Sequence, residues 1–179
     1  MKTKLYIIDA YNIIGNWPHL NRLKLEDRMA DARDELLDTL SEYQKYSGLN
    51  MIVVFDAYYV PGLSKKAKYN NLDVVWTSKD QTADSYIEAL TKKKQSRLVQ
   101  VVVVTSDNAE QWTVFSSGAL RIPDREFLNM INISKREIKS KIDDYSNQTT
   151  VRKLPWSSKQ LSELERLRDR LSNKNHRNH

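Results

Sequence analysis

VQVVVVTSD, residues 99–107, decides the fold of this 179-residue chain. A strand with one face in water alternates apolar and polar residues. Four consecutive valines, Val101 to Val104, call instead for cover on both faces, the habit of a strand inside a parallel sheet. The same character recurs at 5–9 (LYIID), 51–56 (MIVVFD) and 73–76 (DVVW), and more weakly at 119–122 (ALRI). Between these runs the spacing turns helical. In 25–46 the residues Leu25, Met29, Ala32, Leu36, Leu40 and Tyr43 recur three and four apart. Shorter helical patterns occupy 83–94 and 108–117, with Gly118 as a stop, and 124–142 begins just after Pro123. Strand alternating with helix predicts an α/β chain: a three-layer α/β/α sandwich around a central, mainly parallel sheet of about five strands.

Residues 144–156 (DYSNQTTVRKLPW) are polar and reach Pro155, which reads as a linker. Ser157 and Gln160 then form a capping-box pattern. The helix they open carries Leu161, Leu164, Leu167 and Leu171, a narrow stripe expected to dock on the body. The expected organisation is one domain over 1–145, then a linker, a basic C-terminal helix and a frayed tail over 146–179. His176 and His179 fall in that tail, and His19 is expected in a structural loop after Trp17-Pro18.

Composition excludes several classes. Hydrophobic residues are 40 % of the chain and charged residues 29 %, and there is no cysteine. Disulfides, thiolate zinc sites and cysteine nucleophiles are therefore absent. No apolar run is long enough to span a membrane, and MKTKLYIIDAYN lacks the features of a signal peptide. A cytoplasmic, monomeric protein is expected. Net charge is +6, and residues 151–179 hold eight of the 29 Lys/Arg against three of the 23 Asp/Glu. A near-neutral body with a basic tail points to a polyanion, most commonly nucleic acid. The plainer reading is a solvated helix, and charge alone does not choose.

The strand ends carry the chemistry. The first strand ends at Asp9, the second at Asp56, the fourth runs into Thr105-Ser106-Asp107, and Asp84 lies in the first turn of the helix after the third. In a parallel sheet every carboxyl end lies on one edge, where α/β proteins bind ligands. Four clustered carboxylates repel and raise one another's pKa. A cation relieves this, and oxygen ligands without His or Cys select Mg²⁺ or Mn²⁺. Such ions hold a phosphodiester, activate a water and stabilise the leaving oxygen. Any one of these acids can be read as a helix N-cap; Asp80 and Asp107 suit that reading, and Asp9 least, because Asn16-Trp17-Pro18 interrupts the next helix. The set favours a site. Gly-rich phosphate loops and the G-x-S-x-G elbow are missing.

YIIDAYNIIGNW, VVFDAYYVPG, TADSYIEAL and VVVVTSDNAEQ, in this order and spacing, resemble the YacP-type branch of the NYN-domain ribonucleases, relatives of the PIN nucleases. The resemblance covers residues 4–145. It implies a PIN-like fold, a divalent-metal acidic centre and endonucleolytic cutting of RNA, in a bacterial branch that includes a ribosome-associated enzyme cutting mRNA in the decoding A site. Position by position, Asp9 matches the first-strand acid and Asn12 its neighbouring amide. Asp56, Asp84 and Asp107 match the second-strand acid, the T-A-D acid and the acid after the fourth strand. Where the family pattern has Gly-Glu before Thr82, Asp80-Gln81 stands here, which puts a role for that glutamate in doubt.

The expected mechanism is attack by a metal-activated water, giving a 5′-phosphate and a 3′-hydroxyl. Asp9, Asp84 and Asp107 are the expected Mg²⁺ or Mn²⁺ ligands, and Asp56 a further ligand or a water-orienting group. Asn12, Thr105, Ser106, Tyr58 and the cluster Lys65, Lys66 and Lys68, placed in a mobile loop after Pro61-Gly62, are expected to meet substrate. Tyr59 and Trp17 are further candidates for stacking on bases. mRNA and the ribosome are the expected partners, the basic C-terminal helix holding ribosomal RNA. The alternatives are a non-catalytic RNA- or ribosome-binding module and, more weakly, a metal-dependent phosphatase.

Overall fold

The computed structural model describes residues 2–56, 65–107, 116–152, 160, 162–166 and 168. In chain order these form β1 (Thr3–Asp9), α1 (Ala10–Asn16), α2 (Pro18–Leu25), α3 (Met29–Ser47), β2 (Asn50–Phe55), β3 (Lys65–Tyr69), β4 (Leu72–Trp76), α4 (Ala83–Lys94), β5 (Val99–Val104), β6 (Leu120–Ile122) and α5 (Asp124–Arg152). One sheet holds all the strands in the order β3-β4-β2-β1-β5-β6. Every pairing is parallel except β3 with β4.

The valine run behaves as its composition dictates. Val102 and Val104 pack in a core with Tyr6, Ile8, Ile13, Leu36, Leu40 and Phe127, on the face covered by α1, α2, α3 and the start of α5. Val101 and Val103 turn to the opposite face and meet Ile7, Val54 and Ile87, under α4. The chain is thus an α/β/α sandwich, as expected from the sequence.

Four local expectations are corrected. The sheet has six strands, because KKAKY at 65–69 is a strand and not a mobile loop. Its lysines carry no apolar signal, yet lysine suits a sheet edge, where it discourages pairing with another chain. The two-residue turn Asn70-Asn71, with Asn70 at φ 53°, was the legible sign of a hairpin. Second, the helix expected over 25–46 starts at Met29. Asp27 at φ 59° breaks the chain there, and Leu25 closes α2 with 78 % of its surface exposed. Third, His19 lies within α2 and not in a loop; its Nε2 is 2.6 Å from Glu35 Oε1. Fourth, the helix that begins at Asp124 continues to Arg152 through most of the expected linker. Polar residues alone do not end a helix, and no glycine or proline intervenes before Pro155.

The chain divides into two compact units, Met1–Lys135 and Arg136–His179. The first holds the sheet. In the second, residues 162–166 are helical and Leu164 is 44 % exposed; Leu161, Leu167 and Leu171 lie outside the described residues. No helix among the described residues is long and apolar enough to cross a membrane.

Candidate active site at the carboxyl edge of the sheet

Asp9 is the last residue of β1 and also the N-cap of α1, with Oδ1 accepting from the Asn12 N–H at 3.2 Å. The expectation that Asp9 is the least cap-like of the acids is therefore corrected. Proline 18 does interrupt, since the residue before a proline is driven out of the helical region. The break falls at Trp17, after a complete seven-residue helix has already formed.

This carboxylate is deeply placed, 7 % exposed. Its pKa is pushed up to about 6, mainly by burial. The Asn12 N–H opposes the rise, and the charges of Asp84 and Asp107 add to it. Asp84 and Asp107 are themselves exposed. The three acids therefore share one electrostatic neighbourhood, with Asp9 as its floor.

Each of the other acids is set by local backbone geometry. Thr82 caps α4, its hydroxyl accepting from the Ser85 N–H at 3.2 Å, which fixes Asp84 in the first turn. Thr82, not Asp80, is thus the cap. Asp56 follows β2, and its Oδ2 accepts from the Ala83 N–H at 2.9 Å. It satisfies an orphan donor at the start of α4 and positions the turn that carries Asp84. Asp107 donates its N–H to Thr105 Oγ1 at 3.1 Å.

Two residues expected to meet substrate have their hydroxyls engaged within the protein. Thr105 has no exposed surface; its hydroxyl holds the Asp107 turn and its carbonyl accepts from Arg121 Nε at 3.0 Å. The Ser106 hydroxyl donates to Asp124 Oδ1 and accepts from the Asp124 N–H. Asn12 Oδ1 accepts from the Ser106 N–H at 2.9 Å and from Asn16 Nδ2 at 3.2 Å. Asn12 thus ties the exit of β1 to the exit of β5, and its Nδ2 donor is what it has left to offer a ligand. Trp17 is 5 % exposed, with its indole N–H on the Asp124 carbonyl at 3.1 Å, so it belongs to the core.

The lysine cluster is split by register. β3 runs antiparallel, with Lys65 opposite Trp76 and Lys68 opposite Asp73. Lys65 and Lys66 lie toward the carboxyl edge. Lys68 lies toward the other edge, where its Nζ is 3.6 Å from Asp73 Oδ1. Tyr58 and Tyr59 lie outside the described residues.

A hard divalent cation fits the donor chemistry: carboxylate oxygens, one of them raised in pKa first by its burial and further by the charges of Asp84 and Asp107. Among the described residues no three His, Cys, Asp or Glu groups close on a common point. The arrangement suits an ion that keeps several waters and takes one or two carboxylates plus substrate phosphate, as Mg²⁺ does. Asp124 is the residue that the sequence pattern concealed. Following Pro123 it reads as a helix start, and nothing in the pattern signals that it is 95 % buried beside Ser106.

A family model described as YacP-like NYN domain matches residues 6–169. YacP of Bacillus subtilis (strain 168) is 37 % identical over 164 residues, which is 92 % of this chain and 96 % of the relative. A crystal structure of Rae1 (YacP) from Bacillus subtilis is similar with a TM-score of 0.70 at 37 % identity, over 94 % of this chain and 95 % of that one. A mutant of the same protein gives the same TM-score at 36 % identity, over 79 % and 82 % of the two chains.

Proposed function

We propose, for a chain that belongs to the YacP-like NYN domain family, that its nuclease-type function is the endonucleolytic cutting of mRNA on the ribosome in the cytoplasm, with Mg²⁺ or Mn²⁺. The observation that carries this reading is the buried Asp9 carboxylate at the end of the central strand, its pKa raised to about 6 with Asp84 and Asp107 contributing to the rise. A carboxylate whose pKa is raised by its burial and further by two neighbouring charges is suited to compensation by a cation.

Asp9, Asp84 and Asp107 would hold that ion, one or two of them directly and the rest through its waters, and it would supply charge neutralisation and an activated water at neutral pH. The water oxygen adds to phosphorus and the P–O3′ bond breaks, leaving a 5′-phosphate and a 3′-hydroxyl. Asp56 acts through the start of α4, keeping Asp84 in register. Lys65 and Lys66 lie toward the edge that a phosphate backbone would follow. Attack by the ribose 2′-hydroxyl would need an acid and a base such as His, and His19 is engaged by Glu35.

A second reading has its own observation. Asp9 and Asp56 both serve as backbone acceptors at helix starts, as they would in a binding module that cuts nothing.

The test is a reconstituted translation reaction on several mRNAs, with wild type and Asp84→Asn, mapping new 5′ ends. Cuts by wild type, absent with Asp84→Asn and with chelator added to stalled complexes, support the enzyme. Ribosome binding without cuts selects the binding module.

A further inference from the structure

The near-neutral body is polarised along its strands. Parallel strands send every amino end to one edge of the sheet, opposite the acidic edge. β1 starts there at Thr3 and β5 at Val99, joined where the Thr3 N–H donates to the Leu98 carbonyl at 2.9 Å. α4 returns to the same edge and ends at Lys94, just before β5. Segments 2–4 and 92–98 hold Lys2, Lys4, Lys92, Lys93, Lys94 and Arg97, and no acid. All six cations are exposed. Lys92 is paired with Glu88 at 2.6 Å. The other five form no ion pair among the described residues. Asp73, which opens β4 farther along this edge, is answered by Lys68.

Lysines in the last turn of a helix suit its dipole, and that accounts for Lys92 to Lys94. It does not account for Lys2 and Lys4, at the start of a strand, or for Arg97, beyond the helix. Arg97 is carried by a built turn. The Ser96 N–H donates to the Val99 carbonyl at 3.1 Å, and Ser96 Oγ accepts from the Leu98 and Val99 N–H groups at 3.3 and 3.1 Å. Gln95 anchors that turn, its Oε1 accepting from the Val101 N–H at 2.8 Å and its Nε2 donating to the Gly118 carbonyl at 2.7 Å. A backbone already fixed has less freedom to lose on binding.

We propose that this basic rim docks on the phosphate backbone of double-helical RNA. The proposal rests on the ribonuclease reading for its choice of RNA as the polyanion. It keeps the docked helix apart from the strand that is cut, because the rim and Asp9 lie at opposite ends of β1, about 20 Å apart at the rise of a strand. Proteins that hold unpaired RNA stack its bases on aromatic side chains, and segments 2–4 and 92–98 contain no aromatic residue. A duplex presents no open base faces and is recognised through its shape, phosphates and ribose hydroxyls. Exposed lysines and an arginine supply the donors for that. The acidic edge repels the same backbone, so charge also decides which way round the chain meets folded RNA.

Full-length protein, in chelator so that no RNA is cut, is titrated over a range of salt with a fluorescent RNA duplex and with an unpaired strand of the same length. Lys94→Gln/Arg97→Gln and, off the helix, Lys2→Gln/Lys4→Gln should each weaken the duplex about tenfold and lower the slope of log affinity against log salt by about two. Melting and affinity for the unpaired strand should stay near wild type. Lys24→Gln/Lys79→Gln removes the same charge at exposed positions outside the rim and should change neither affinity nor slope. Equal losses in that control pair, an unmoved slope in both rim pairs, or a loss as large for the unpaired strand as for the duplex overturns the proposal. Binding to vesicles rich in phosphatidylserine in preference to the duplex assigns the rim to a membrane and overturns it too. Cut-site maps on translating ribosomes separate it from the ribonuclease reading. Duplex binding that depends on the rim, in a chain that cuts no RNA, keeps the rim and removes the ribonuclease. Cuts by a chain whose duplex affinity ignores the rim keep the ribonuclease and overturn the docking surface.

Discussion

Asp56 Oδ2 accepts a hydrogen bond from the backbone N–H of Ala83, 2.9 Å away and 27 residues along the chain. That one bond anchors the first turn of α4, and with it Asp84, to the end of β2. In the proposed ribonuclease Asp56 is then a positioning residue, and the two acids should respond differently to the same change.

Asp56→Asn keeps an acceptor for Ala83 and should retain a large part of the cleavage rate. Asp84→Asn should abolish cleavage. Asp56→Ala strands a partly buried donor and should cost about 1–3 kcal/mol of stability. Equal loss of kcat in Asp56→Asn and Asp84→Asn, with unchanged melting, would show that Asp56 is itself a ligand.

Asp9 gives a pH signature. Its folded pKa is raised from 3.8 to about 6, so the fold prefers the protonated form. The stability this lends is full below about pH 4 and is lost as pH rises through 6. A shift of about two units corresponds to about 3 kcal/mol. In chelator, Asp9→Asn should therefore melt higher than wild type at pH 7.5, and the gap should close as pH falls toward 4.5. Asparagine also preserves the cap on α1. Adding Mn²⁺ at pH 7.5 should raise the melting temperature of wild type and leave Asp9→Asn nearly unmoved. A gap that is constant across this pH range would sink the assignment.

The sheet and its acidic edge were legible because burial on both faces leaves a mark in composition. Val101 to Val104 have to be apolar, and the residue that ends each strand is free to be an acid. What stayed hidden was decided by pairing across the chain. Lys66 and Lys68 are exposed, so no apolar periodicity betrays the strand. Thr105 and Ser106 read as substrate contacts because hydroxyls beside an acid do so in any sequence. Only the folded chain shows that one hydroxyl is buried under the Asp107 turn and the other is engaged by Asp124.

Ser106→Ala should act on stability and not on the chemical step. It removes the donor that meets Asp124 Oδ1 and leaves a buried carboxyl with one partner fewer, a loss of about 1–3 kcal/mol. Thermal melting should fall while single-turnover cleavage below the transition stays within about twofold of wild type. A large fall in cleavage with unchanged melting would return Ser106 to the substrate.

The lysines offer the last contrast, and it follows from strand direction. β3 begins level with Trp76, near the exits of β2 and β4, and ends level with Leu72. Lys66 and Lys68 point to the same side of the strand but are separated by about 7 Å along it. Lys66 is thus the nearer to the acidic edge, and Lys68 is turned to Asp73, with both side chains largely in solvent. Each lysine that meets a phosphate releases counterions, so its loss should lower the salt dependence of binding by about one contact. Lys66→Ala should weaken binding of single-stranded RNA severalfold and flatten the plot of log affinity against log salt. Lys68→Ala should leave both slope and affinity where they are. Equal effects of the two would mean that RNA follows the whole strand and not the carboxyl edge.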